Sequence, residues 1–447
     1  MRQSDRRKIL WFLVLLFVVA GGAAIFYAQG YRLNLFPLRI QKIGGIYFRS
    51  SLSEVTVSLD GRQVEKTRHL FGVSFLFFQG GTLINDLFPK KYVLSLTAND
   101  YEDWKQTLEV KPSLVTEIKY AVLVPKTTTV FTTSSVTNFW TAGENIVLQN
   151  RSGALVSNNK ALPGINILDK QIDGRVLSAD FNKNIFEINL NSGRAINVTA
   201  LLRANGIAGT QFSKILLEQG ENGVVFMGTK NVYVLNLDSG SLQTARKISP
   251  TSTSILAGIT LSPDYIISSE YDGAKNSSFI FIYDKNSGNK FGYINPIPGK
   301  TVAMEWQNGR LGLVQSDGSF FLGDPRQTNG LLKTASDALG FSFSGDSGLV
   351  AVREKRALEI FPLNGSLSEN YARFELPDSQ NIRDISWYKD GQHLFIYLTD
   401  STMFLDIGDK LLEHYLRVSA AVSEYDSIQN RLYFKNGNNL LYRAFPG

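Results

Sequence analysis

Ile185 to Gly193 reads IFEINLNSG, Val232 to Gly240 reads VYVLNLDSG, and Ile280 to Gly288 reads IFIYDKNSG. Each is an alternating apolar strand running into a polar hairpin turn, and the closing glycines are 47 and 48 residues apart. A looser copy is ALEIFPLNG, Ala357 to Gly365. Recurrence at such a period marks a repeat architecture in which each copy is one supersecondary unit.

A second landmark sets the register. FWTAGENIVL (Phe139 to Leu148), EWQNGRLGLV (Glu305 to Val314) and SWYKDGQHLFIYL (Ser386 to Leu398) each join an aromatic to a short glycine turn and an apolar strand. LSPDYIISS (Leu261 to Ser269) and FSGDSGLVAV (Phe343 to Val352) fill the same slot. Taking Trp140, Ile172, Leu217, Leu261, Trp306, Phe343, Trp387 and Tyr425 as that slot gives steps of 32, 45, 44, 45, 37, 44 and 38 residues. A period near 40 residues is that of a four-stranded propeller blade. The expectation is a β-propeller over 126–447 with about eight blades, or seven if the weak second copy is no blade. The last copy, Ser423 to Gly447, holds too few strands, and TTTVFTTSS (Thr127 to Ser135) supplies the missing one. Pairing the two ends would close the ring and leave no raw edge. The repeats resemble WD40-like propellers in outline, without the tryptophan-aspartate ending; MFLDIGD (Met403 to Asp409) comes nearest.

Upstream the pattern differs. Ile9 to Tyr27, ILWFLVLLFVVAGGAAIFY, carries no charge over nineteen residues, about the length a helix needs to cross a bilayer core. Arg2, Arg6, Arg7 and Lys8 precede it and only Arg32 soon follows, so the positive-inside rule puts residues 1–8 in the cytoplasm and the chain from about Gly30 onward outside. A cleaved signal peptide is the competing reading, but its apolar region is usually shorter, about 7 to 15 residues. The net charge is +6, and half of it sits in that short tail, so no basic face for nucleic acid stands out. There is no cysteine, which in an exported chain excludes disulfides, thiolate metal sites and a cysteine nucleophile.

Residues 28–44 read as a linker, and 45–125 as a small sandwich of four short strands. Val55, Val57 and Leu59 oppose Thr56, Ser58 and Asp60, and Asp60-Gly61 supplies a tight hairpin turn. Further strands run through Tyr92 to Ala98, Thr107 to Lys111 and Ile118 to Val122. Asn99 and Asp100 tolerate the left-handed conformation a reversal demands. Tyr101 and Trp104 then plug the open end of the core, with a stacking platform for a sugar ring as the alternative. LFGVSFLFFQGG, Leu70 to Gly81, reads as an extra apolar segment over the sandwich edge, or as a face resting on the bilayer or another subunit.

VTVSLDGRQVEKT (Val55 to Thr67) with LFPKKYVLSLTANDYEDWKQTLEVKPSLVTEIKYAVLVP (Leu87 to Pro125) resembles the PEGA domain, a small extracytoplasmic β-sandwich. SLSEV (Ser51 to Val55) stands where the family's naming Pro-Glu-Gly-Ala would be, Lys90 and Lys91 occupy its glycine turn, and Asp100 replaces the glycine before tyrosine. The resemblance implies a bacterial cell-envelope protein and brings no catalytic residues with it.

The search for chemistry ends on turns. SGDSG (Ser344 to Gly348) is similar to the loop around a serine-protease nucleophile, but the chain has only His69, His393 and His414 to serve as base and no third member. The same three histidines make no metal-ligand pair. DKNSG (Asp284 to Gly288) begins like a calcium loop yet lacks the distal acidic ligand. Glu102 and Asp103 face opposite ways on an extended segment. No glycine-rich phosphate loop opens a helix. The reading is therefore all-β with one N-terminal transmembrane helix: no enzyme, catalytic residue, metal or cofactor is expected. The expected role is an envelope scaffold that binds protein or cell-wall glycan, with a polysaccharide hydrolase or lyase using paired channel carboxylates as the alternative.

Overall fold

The computed structural model describes residues 3–35, 38–64, 81–207, 212–218, 222–247, 254–285, 287, 289–293, 296–327, 330–345, 348–363, 372–376, 381–408, 415–419 and 423–446. Contacts divide the chain into two compact units, Met1–Thr127 with Phe445–Gly447, and Thr128–Ala444. The last three residues thus group with the first unit rather than with the repeats.

In the first unit, helix α1 (Gln3–Ala28) contains one stretch, Leu10–Ala28, long and apolar enough to cross a membrane. None of that stretch is buried by protein; Trp11 is 70% and Phe17 78% exposed. The stretch 28–44, read as a linker, instead carries an antiparallel hairpin of β1 (Tyr31–Leu35) and β2 (Leu38–Lys42).

Among the described residues the sandwich has seven strands, where four were expected. β3 (Gly44–Ser50), β4 (Thr56–Leu59), β5 (Arg62–Gln63), β6 (Thr82–Leu87), β7 (Lys91–Thr97), β8 (Trp104–Glu109) and β9 (Val115–Ala121) form two sheets, β6-β3-β9 and β5-β4-β7-β8. β3 escapes pattern reading because Ile46, Tyr47 and Phe48 are all buried, so both faces of the strand are covered and no alternation shows. The expected turns do form: Asp60 and Gly61 have φ of 49° and 76°, and Asp100 has φ 65°. Asp60 does more than turn the chain, since its carboxylate accepts the Val93 amide at 2.9 Å and pairs with Lys90 at 2.7 Å. Trp104, 5% exposed, packs into the core with Leu94, Leu96 and Leu108 from its own sheet and Ile46 and Ile118 from the other. Its ring is thus core, which leaves no platform face on it.

The second unit is a closed ring of eight four-stranded blades. Seven are formed in chain order by residues 136–162, 166–197, 214–247, 255–293, 301–335, 340–375 and 382–419. The eighth takes three strands from 423–444, and β10 (Thr129–Thr132) completes it by pairing antiparallel with Asn439–Ala444. Blade 4 carries an extra short strand, Ile297–Pro298, beside Ser277–Asp284.

Middle strands such as Gly223–Met227 and His393–Leu398 are buried at every residue, because each blade is covered on both faces by its neighbours. The repeated motif that set the period is the third strand of a blade and the turn after it. In three blades the residue opening that turn holds it shut. Asn189, Asn236 and Asp284 each accept, through Oδ1, the amide of the serine three residues on, at 2.9, 2.9 and 2.7 Å. Asx residues favour turns through such side-chain bonds to backbone. Seven of the eight slot residues lie on the first strand of their blade; Ile172 instead sits in the turn after Asn166–Lys170, 59% exposed.

Polar bonds link consecutive blades around the ring. Gln149 donates to the Ile165 carbonyl, Asp169 accepts from the Leu217 amide, Lys214 donates to the Ile259 carbonyl, and Thr260 accepts from the Trp306 amide. Asn308 donates to the Gly345 carbonyl, the Trp387 indole to the Ser342 carbonyl, and the Tyr425 amide to the Tyr397 hydroxyl. Glu424 closes the circle by accepting from the Thr141 amide and hydroxyl at 3.2 and 2.8 Å.

Candidate functional site in the propeller channel

Adjacent blades meet through their first strands, which therefore line the central axis. Five of these strands, in blades 1, 2, 4, 5 and 7, carry a register shift near their start. In blades 2 and 7 the residue just after the shift is an aspartate, Asp169 and Asp384, whose Oδ1 accepts the next amide at 2.9 Å. Bulges commonly re-aim side chains at barrel rims and sites.

A cavity of about 470 Å³ opens where blades 1, 2, 7 and 8 converge, lined by residues including Thr141, Lys170, Arg383, Asp384, Ser386 and Glu424. The Lys170 ammonium pairs with Glu424 Oε1, which also holds Thr141. Lys170 stays 37% exposed although protein surrounds it on most sides. That enclosure pushes the ammonium down to about 8, against the pull of the Asp426, Asp384 and Asp169 carboxylates. Across blades 2, 3 and 5 the same physics acts on a second group. Enclosure raises Asp169, opposed first by the Leu217 and Lys170 amides and then by Lys214; it also raises Glu305 and lowers Lys214, opposed there by attraction between lysine and carboxylate. Charged groups from several blades thus converge on the axis with their ordinary titration shifted by burial, the kind of environment found at binding or reactive sites.

A wider groove of about 900 Å³ lies between blades 5 and 6, lined by residues including Asp317, Asp337, Glu354, Lys355 and Arg373. It is an open surface feature. Arg373 is held there by Glu354 and Glu359 at 2.6 and 2.5 Å, and those bonds keep its guanidinium charged. The channel is the better candidate because polar and charged side chains from four blades converge on it.

The residues weighed from the sequence do not gather there. Ser344 closes a hairpin, its hydroxyl bridging both polar groups of Leu349 at 3.0 Å; Asp346 and Ser347 lie outside the described residues. So do His69, His414 and Leu70 to Gly80. His393 is buried in blade 7, with Nδ1 2.7 Å from Asp390 Oδ2, Nε2 3.7 Å from Asp406 Oδ2, and its ring stacked on Phe404. Asp284 spends its carboxylate on its own turn. Among the described residues no cluster of three or more metal-type ligands occurs. Sequence reading missed the channel residues because they come from separate blades far apart in the chain, and no local spacing announces them.

No family model matches the sequence, and no curated protein matches it. Solved structures do. A computationally designed protein, Ika8, shares 13% identity with a TM-score of 0.51, covering 71% of this chain and 98% of its own. Hsv2 of Kluyveromyces lactis shares 14% identity with a TM-score of 0.43, covering 61% and 90%. An oligogalacturonate lyase solved with manganese shares 11% identity with a TM-score of 0.43, covering 61% and 86%. At these identities the likeness concerns the fold alone. The chain has the fold of a β-propeller, built from four-stranded sheets. More particularly, it is an eight-bladed propeller closed by its own N-terminal strand and preceded by a sandwich and a long apolar helix.

Proposed function

We propose that this chain is a non-enzymatic binding protein of the bacterial cell envelope. α1 anchors it with residues 1–8 in the cytoplasm, and the propeller presents its channel to a protein or cell-wall glycan partner outside. The observation that carries the reading is the cavity where Lys170, Arg383, Asp384 and Glu424 converge from three blades. Its size falls within the range of small-ligand pockets, about 300 to 1,000 Å³. Its charged, hydrogen-bonding walls suit a polar loop or a few sugar units. The resemblance of residues 55–125 to PEGA domains supports the envelope placement, and the exposed apolar stretch Leu10–Ala28 supports the anchor.

A polysaccharide hydrolase or lyase is the second reading, because Asp384 and Glu424 line one cavity. Against it, Glu424 already accepts from Thr141 and Lys170, and Asp384 from its neighbouring amide. Carboxylates committed as acceptors are poorly placed to donate a proton to a leaving group.

The test compares full-length wild type with Lys170→Ala/Arg383→Ala, both in nanodiscs, for capture from envelope extracts and for release of reducing ends from glycan. Binding predicts a captured species lost in the variant and no release. Identical capture by both refutes the channel as the site, and release abolished by Glu424→Gln establishes the enzyme reading.

A further inference from the structure

The hairpin after the apolar helix has one exposed apolar side. Its register pairs Tyr31 with Lys42, Leu33 with Ile40 and Leu35 with Leu38, while Arg32 pairs with Gln41 and Asn34 with Arg39. Because side chains alternate across a strand, Tyr31, Leu33, Ile40 and Lys42 share one face, and Arg32 and Gln41 the other. Leu33 and Ile40, directly opposed on the apolar face, are 55% and 64% exposed. Among the described residues β1 and β2 form a two-stranded sheet by themselves. Such a hairpin is at best marginal in water without something covering its hydrophobic face.

The opposite face is already engaged by protein. Arg32 donates to the Tyr27 carbonyl at 2.9 Å, lies over the Tyr27 ring at 3.6 Å, and pairs with Asp86 of β6 at 2.9 Å. Arg32 thereby ties the end of α1 and the sandwich to the polar side of the hairpin. The apolar side meets α1 through Tyr31, whose ring contacts Phe26 edge-on at 5.3 Å. Phe26 is 54% exposed and belongs to the stretch long and apolar enough to span. The apolar face of the hairpin therefore continues the surface the helix would turn toward lipid. Lys42, whose ammonium sits 5.1 Å from the Tyr31 ring, stands at the base of that face, as a cation does at the headgroup level.

We infer that the Leu33–Ile40 face of the hairpin rests on the bilayer interface, so that the sandwich is seated on the lipid surface through a second contact. This rests on α1 spanning the membrane.

The chain has no cysteine, so single-cysteine variants can be labelled cleanly. Full-length Leu33→Cys, Ile40→Cys, Gln41→Cys and Val18→Cys, each carrying an environment-sensitive fluorophore, are reconstituted in vesicles of phosphatidylcholine and phosphatidylglycerol. The lipids bear nitroxides at a shallow or a deep acyl position. The expected result is strong quenching of 33 and 40 by the shallow nitroxide, at least twofold beyond Gln41→Cys, with Val18→Cys quenched by the deep one. If 33 and 40 behave like 41 while 18 is quenched, the interface proposal falls and the spanning helix stands. If 18 is not quenched either, both fall. Labels at 33 and 40 shielded from nitroxide lipid and aqueous iodide alike mean that protein, such as a second copy of the chain, covers the face, which also overturns the proposal.

Discussion

Phe131 offers the sharpest handle on ring closure. It lies in β10 at a register irregularity between Val130 and Thr132, is 42% exposed, and its ring meets Tyr433 of the same blade edge-on at 5.7 Å and 87°. Somewhat more than half of the phenyl surface is out of water, so its burial contributes about 1 to 1.5 kcal/mol on the scale of about 1.5 to 3 for a full side chain. The edge contact adds about 0.5 to 1.5 kcal/mol. Phe131→Ala should therefore cost about 2 kcal/mol in the stability of β10 on the blade, roughly a thirtyfold shift in its local opening at about 1.4 kcal/mol per tenfold. Hydrogen exchange on the full chain reads this directly, because local opening exposes the amides it protects. Peptides spanning Asn439–Ala444 should exchange roughly thirtyfold faster in the variant, while those from Tyr265–Asp272 in blade 4 stay unchanged. Unaltered exchange in blade 8, or equal acceleration in every blade, would refute the reasoning.

Two further outcomes follow from buried charge. His393 is buried, which disfavours its charge, but Asp406 and Asp390 outweigh that and raise it above its ordinary value. The stabilisation is then full below about pH 6.5, the free imidazole value, and is lost as pH rises through the folded one. His393→Gln should remove this alkaline loss, so that the unfolding midpoints of wild type and variant, measured across pH 6 to 8.5, converge as pH rises; parallel curves would sink the assignment. Lys285 and Glu218 pair at 2.8 Å between blades 4 and 3 with side chains only 8% and 5% exposed. Lys285→Ala alone should cost about 3 to 5 kcal/mol by leaving a buried carboxylate unpaired, and Lys285→Met/Glu218→Leu should recover most of it. Urea midpoints decide this, and a double variant no better than the single contradicts it.

The propeller was legible because its blades repeat. A strand followed by Asn/Asp-x-x-Ser-Gly is a local signal with a mechanism, the Asx bond that shuts the turn, and it recurs at Asn189, Asn236 and Asp284. The closing strand was legible for the opposite reason: the last copy lacked a strand and an unassigned β-rich segment stood upstream. Blade 2 was harder. Its first strand, Asn166–Lys170, offers no aromatic, so the spacing slid forward to Ile172 in the turn. The hairpin at 31–42 was read as linker because its alternation is broken between the strands, and β3 was missed because burial on both faces erases alternation. The channel could not be read at all. Asp169, Lys170, Lys214, Glu305, Asp384 and Glu424 come together only when the ring closes, and in sequence they span most of the propeller.

Everything in this architecture depends on β10 reaching back to the final blade of its own chain. Because the protein has no cysteine, the pairing is tested by Thr129→Cys/Tyr442→Cys and Val130→Cys/Leu441→Cys, two consecutive register pairs. Opposed residues alternate between wider and closer spacing along an antiparallel ladder, so one of the two pairs is the close one. Mild oxidation should yield a monomeric cross-linked species in at least one of them. Cross-linking only between two chains, or in neither pair, would mean that the ring is not closed by its own first strand.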